Sequence, residues 1–258
     1  MMDDAVPVSR RPAFDIRTVP VDRPWTWLAA GWRDVMAAPH VSLACGAVVV
    51  AVSGLLTLGL WMAEMPYLVL PMLAGFMLVG PMMAIGLYET SRRIGAGERP
   101  TLGILFSAWR RNPERLAYMG LILALVLLAW VRVATLLYTI FFSSMNPTFG
   151  RLIETLLFSP VSIPFLMVGS LVGLGFATIV FALSAVSIPM LLDRDVPLMT
   201  AIGTSVAAVR ANLPAMALWA ALIVLFTAFG LATLYLGLLV SMPLIGHATW
   251  HAYKDIVR

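Results

Sequence analysis

The chain has 258 residues, of which 61% are hydrophobic and 12% charged, and its mean hydropathy is +0.93. A soluble domain carries about 25% charged residues, so this composition excludes a water-soluble globular protein. The net charge of +4 comes almost wholly from arginine, Lys254 being the single lysine, and Cys45 stands alone. Such charge sets orientation and attracts anionic lipid, giving no reason to expect nucleic acid, while one cysteine excludes an intrachain disulfide and any multi-cysteine metal site.

Residues 1–24 are rich in Arg, Pro and Asp and too poor in apolar side chains to fold alone, so they are expected to form a disordered cytoplasmic tail. No secretory signal is read there, and insertion is expected to begin at the first span of the integral membrane domain, residues 25–258. That span is predicted from Val41 to Ala63 and is closed by a turn at Glu64-Met65-Pro66. The second runs from Tyr67 to Glu89 through Pro71 and Pro81, and the third from Leu116 to Phe142. An irregular segment with Asn146, Pro147 and Gly150 follows. The fourth span, Val161 to Leu192, is about 48 Å long as a helix, so it must tilt, project or bend near Pro164 or Pro189. Residues 213–254 make one generous span or two short ones turning near Tyr235–Gly237. The expected fold is an all-α, polytopic transmembrane helical bundle of about six spans, with five as the rival count.

Arginines 92, 93, 99, 110, 111 and 115 lie between spans two and three, and arginines 10, 11, 17, 23 and 33 precede span one. The excess of positive charge on cytoplasmic loops puts both regions, and the N-terminus, inside. Ahead of the membrane segments lie short amphipathic stretches suited to the membrane interface. These are Trp25, Leu28, Trp32 and Met36, then Leu102, Leu105, Phe106 and Trp109, and less cleanly Leu198, Ile202 and Val209. Each unit closes on a proline: Gly80-Pro81-Met82, Ile188-Pro189-Met190 and Met242-Pro243-Leu244. The chain therefore reads as three repeats of interfacial helix plus helical hairpin, at 25–93, 100–193 and 197–255.

Four groups of residues are candidates for chemistry. His247 and His251 share one helix face and could hold haem or a metal ion, with His40 as a third ligand. Trp250, Tyr253 and Lys254 beside them favour an interfacial anchor instead. Arg132 is the one charge well inside an apolar run; it is expected to reach the far surface or a partner such as Glu154, or else to meet a substrate or lipid headgroup. Asp195, in Asp193-Arg194-Asp195, is a natural N-cap for the helix that follows, and the two acids are the alternative ion site. Gly169, Gly173 and Ala177 read as a close-packing stripe within the fold or between copies. No acid lies deep in any span, and no phosphate-cradling loop, nucleophile elbow or carboxylate pair is present, so a catalyst or ion-coupled transporter is not expected.

Several stretches together resemble one bacterial family of integral membrane proteins, domain of unknown function 2189. They are Ser187 to Asp195 with Thr200, Ser205 and Asn212, the closing Pro243 to Tyr253, Trp27 to Asp34, and Trp130 to Tyr138. The resemblance implies a multi-pass protein of the bacterial inner membrane; the label "cytochrome c oxidase subunit I-like" carried by some members also implies a haem-binding redox subunit. The leading expectation is a non-catalytic scaffold or assembly factor for a membrane complex, a respiratory one being the first candidate, with membrane lipids, other membrane subunits or its own copies as partners. The alternatives are a haem- or metal-binding redox subunit and a transporter or lipid-handling protein.

Overall fold

The structure, a computed structural model, describes residues 14–65, 68–142 and 159–258. Asn146, Pro147, Gly150 and Glu154 lie outside the described residues, as does Pro66. In chain order the helices are α1 (Arg23–Ala37), α2 (Pro39–Met62), α3 (Val69–Met83), α4 (Ile85–Gly95), α5 (Ile104–Ser107) and α6 (Pro113–Phe142). Then come α7 (Ser162–Ser184), α8 (Ser187–Asp193), α9 (Leu198–Ala211), α10 (Leu213–Ala232) and α11 (Leu238–Ile256). No strand occurs among the described residues, and the fold is an all-α membrane bundle.

Proline opens four of these helices. Pro24, Pro39, Pro113 and Pro214 sit at the first or second helical position, where a missing N–H leaves nothing unpaired. Proline inside a helix acts differently, freeing the carbonyl four residues back and crowding the preceding turn. Pro81 is followed by the break between α3 and α4 at Ala84. The α7–α8 break at Val186 precedes Pro189 by three residues, and the Val186 amide bonds Ser205 Oγ of α9 at 3.1 Å. Pro243, by contrast, leaves α11 continuous.

Among the described residues five segments are long and apolar enough to cross a membrane: 39–62, 71–95, 113–142, 162–193 and 213–232. The chain then turns through residues 233–237, with Leu234 and Tyr235 at φ 54° and 70°, and Tyr235 hydroxyl lies 2.6 Å from Thr57 Oγ1 of α2. From there α11, 19 residues long, runs back through the bundle to the arginine-rich end. It is the sixth long helix, but it is buried along most of its length and is not among the five apolar spans.

The packing centre is α11, with α1, α2, α4 and α10 against it. Glycine sets two of these approaches. At Gly31 of α1 an added Cβ would lie 2.7 Å from the Ala248 amide, and at Gly46 of α2 it would lie 2.4 Å from the Leu239 carbonyl oxygen. Leu239 is four residues before Pro243, so α2 crosses α11 where the proline has freed a carbonyl. Close helix approach through small residues is how membrane helices pack when lipid offers no hydrophobic drive.

The interfacial stretches differ from one another. Trp25, Trp32 and Met36 are exposed, but Leu28 is buried, because α1 packs a second stripe (Trp27, Gly31, Asp34, Val35) on α11. Leu102, Phe106 and Trp109 are exposed, while Leu198, Ile202 and Val209 pack on the core. Part of the expected disordered tail is also otherwise disposed. Residues 14–20 run along the C-terminus, with the Arg17 amide bonding Ile256 O, Arg258 N bonding Asp15 O, and Ile16 bridging Val257. Composition cannot foresee this, because backbone groups make those bonds whatever the side chains.

Candidate functional site

Five side chains from four helices form one hydrogen-bonded chain at the arginine-rich end. Asp34 is at the end of α1, Ser42 at the start of α2, Ser91 near the end of α4, and His247 and His251 one turn apart on α11. Ser91 Oγ donates to Asp34 Oδ2 at 2.6 Å and lies 2.7 Å from His247 Nδ1; His247 Nε2 lies 3.0 Å from Ser42 Oγ. His251 Nε2 is 2.8 Å from the same Asp34 oxygen. Since a hydroxyl has one proton and Ser91 gives its own to Asp34, Ser91 accepts from Nδ1–H of His247. On the other side of the ring, Ser42 Oγ lies against Nε2 and donates to Ala38 O at 2.9 Å.

The chain is buried at one end and reaches the surface at the other. Asp34, Ser42, Ser91 and His247 are all buried, whereas His251 is about one-third exposed. Burial raises the Asp34 carboxyl, but the bonds from His251 and Ser91 and the two nearby imidazoles outweigh it and hold the group below the usual carboxylate range. An unpaired charge there would be costly, so this arrangement ties α1, α4 and α11 together.

Three further polar clusters surround it. Glu89 accepts from Arg92 (2.7 and 2.9 Å) and Arg93 (2.8 Å), with Arg111 Nε 3.7 Å away. Asp255 accepts from Arg17, Arg23 and the Trp27 indole at 2.6–3.1 Å, and this contact raises the Arg23 guanidinium above its ordinary value. Asn212 accepts from the Val19 amide and donates to Arg17 O and Ala208 O, pinning the N-terminal stretch to α9.

The expected site residues fall into different places. His247 and His251 share a face but do not converge on one point: both nitrogens of His247 are met by serine hydroxyls, and His251 turns to Asp34. His40 is exposed, with Nε2 3.3 Å from Pro100 O. Among the described residues no group of three or more His, Cys, Asp or Glu is placed to hold a metal ion. Trp250 and Tyr253, expected as interfacial anchors, are buried instead, because α11 lies in the middle of the packing rather than at its edge.

Tyr253 hydroxyl donates to Asp193 at 2.7 Å and accepts from Arg194 Nε at 3.0 Å. Arg194 also reaches Val257 O and Arg258 O and covers the Phe14 ring, and Lys254 bonds Asp193 at 3.2 Å. Asp195 is not the N-cap of α9. Pro197 occupies that position without a side-chain cap, and Asp195 pairs with Arg115 across the gap to α6. Arg132 lies exposed on α6 with no hydrogen-bond or ion-pair partner among the described residues, and Glu154, its expected partner, lies outside them. Of the small-residue stripe, Gly173 packs on the Trp130 ring while Gly169 faces open space.

Asp34, Ser42, Ser91 and Glu89 escaped sequence reasoning as site residues. The usable signal was spacing: Trp27, Gly31, Asp34 and Ala38 follow one helical stripe, so the acid sits on the packing side of α1. No curated protein and no solved structure matches the chain. Over residues 69–193, from the start of α3 to the end of α8, the chain matches the family described as predicted integral membrane protein (DUF2189).

Proposed function

We propose that this integral membrane protein is a non-catalytic scaffold or assembly factor, holding a membrane complex together through its lipid-facing helices. The observation that carries the reading is where the polar groups are used. The buried histidine, serine and carboxylate side chains of the central network bond one another. What stays open is apolar: Leu121, Leu125, Leu128 and Leu136 on α6, and Ile163, Met167, Leu171 and Leu174 on α7, are all more than half exposed. These are surfaces on which lipid or another membrane helix packs.

The arginine-rich end is assigned to the cytoplasm of a bacterial inner membrane, because the excess of Arg lies there and α11 returns the C-terminus to it. The three-unit division fits the order of elements, each hairpin being preceded by a short helix: α1, α5 or α9. Crosslinking in native membranes followed by affinity purification should recover a defined assembly of stable stoichiometry. Recovery as a solitary monomer would overturn the scaffold reading. An absorption spectrum with metal analysis tests the redox alternative in the same sample: a Soret band or stoichiometric metal would establish it.

A further inference from the structure

We propose that the guanidinium cluster at the end of α4 binds the phosphate of an anionic phospholipid. Arg92, Arg93 and Arg111 gather around one carboxylate, Glu89, which is 1% exposed. Three positive charges thus face one buried negative charge. Two further acids act on the cluster: Glu98 lies 3.8 Å from Arg93 but is half exposed, and Asp193, whose charge reaches Arg92, is itself met by Arg194 and Lys254. The surplus is therefore positive on either count.

Each guanidinium carries five N–H donors in a fork that matches phosphate oxygens. Arg92 directs Nε and Nη2 at Glu89, Arg93 directs Nε at it, and Arg111 gives Nε to Leu192 O. The remaining donors lie on side chains that are 22%, 31% and 39% exposed, so the forks are anchored inside and open outside. Glu89 acts as the fixed pin that orients them.

The neighbouring element decides which phosphate source fits. Leu105 of α5 packs on Gly86, three residues before Glu89, where an added Cβ would lie 2.9 Å from the leucine side chain. On that same short stretch Leu102, Phe106 and Trp109 are exposed, Phe106 to 79%. An apolar flank beside a cationic fork suits an amphiphile with phosphate on the arginines and acyl chains along α5. A soluble phosphate would use only the first half of that surface.

The test is native mass spectrometry of the full chain released from vesicles of phosphatidylcholine containing a small fraction of phosphatidylglycerol. The wild type should retain phosphatidylglycerol selectively. The double variant Arg93→Gln, Arg111→Gln keeps both Arg92 bonds to Glu89 and should lose retention on the order of tenfold. Arg132→Gln, a charge removed elsewhere, should retain it unchanged. If the double variant does not fold, Arg111→Gln alone decides, with about a fivefold loss expected. Equal retention by wild type and arginine variants would overturn the proposal. So would displacement of the lipid by millimolar inorganic phosphate, which would mark a site for soluble phosphate.

Discussion

At the arginine-rich end, residues 84–91, 184–192 and 241–250 are buried without interruption, and a carboxylate, a histidine and several serines are buried with them. At the opposite end, Met62, Leu55, Leu234 and Leu236 stand open, and α6 has 17% of its most apolar window buried. In water the second pattern would mean failure of the core. In lipid it is stable, because hydrocarbon solvates leucine as well as another leucine does. Helix association must then come from backbone approach and polar bonds, and those concentrate where α1, α4, α8 and α11 meet. The contrast implies that stability is sensitive to small changes at one end and indifferent to similar changes at the other.

The sharpest break should come from Asp34→Ala. It removes the acceptor for buried Ser91 and part-exposed His251 together, at a cost of about 3 kcal/mol. Unfolding of the purified protein in detergent should show this as a lowered midpoint. Ser91→Ala leaves Asp34 its His251 bond but strips buried His247 of its Nδ1 partner, so it should also cost about 1–3 kcal/mol. A loss near zero would mean that the five side chains do not act as one network.

A steric comparison follows in size. Gly46→Ala drives a Cβ to within 2.4 Å of a backbone oxygen, and backbone cannot swing aside as a side-chain tip can. The expected loss is about 1–3 kcal/mol, seen as reduced monodispersity and a lower thermal midpoint. Gly59→Ala, on the same helix but with nothing within 4 Å, should stay within about 0.5 kcal/mol of wild type. If both behave alike, the close α2–α11 crossing is wrong.

Acid should act through the same network. The Asp34 carboxyl is held below its ordinary value, so its stabilisation is complete above the unfolded-state value near 3.8 and is lost as pH falls through the lower folded-state value. Stability in detergent should therefore decline below about pH 4. Asp34→Asn should flatten part of that decline; an unchanged acid limb in this variant would remove Asp34 as a contributor.

Much of the architecture was legible from residue type because bilayer thickness imposes it. The spans ending near Phe142 and Leu192, the bend near Pro189, and the turn at Tyr235–Gly237 follow from apolar length and proline geometry, whereas the break after Pro81 was not foreseen. Pairing was not legible. Asp34 and His251 are 217 residues apart, and nothing local to either indicates the other. The same reason misplaced Trp250 and Tyr253: aromatic rings beside a lysine have the composition of an interface belt, and only the position of α11 within the bundle makes them core. Asp195 fitted a helix cap by spacing, but Arg115, 80 residues earlier, takes its charge.

Arg132 gives the smallest expected effect and the cleanest probe of the open end. It lies about 28 Å along α6, close to the length needed to cross the hydrocarbon layer, and its long side chain can reach the polar boundary. A residue with no protein partner among the described residues should contribute little to folding. Arg132→Gln should therefore shift unfolding by less than about 0.5 kcal/mol. A larger loss would mean that the open end is held by a polar contact after all, and would shrink the contrast between the two ends. A neutral result, set beside the loss at Asp34, would place the specificity of this fold in the polar end of α11 and leave the outer faces free for lipid or another membrane helix.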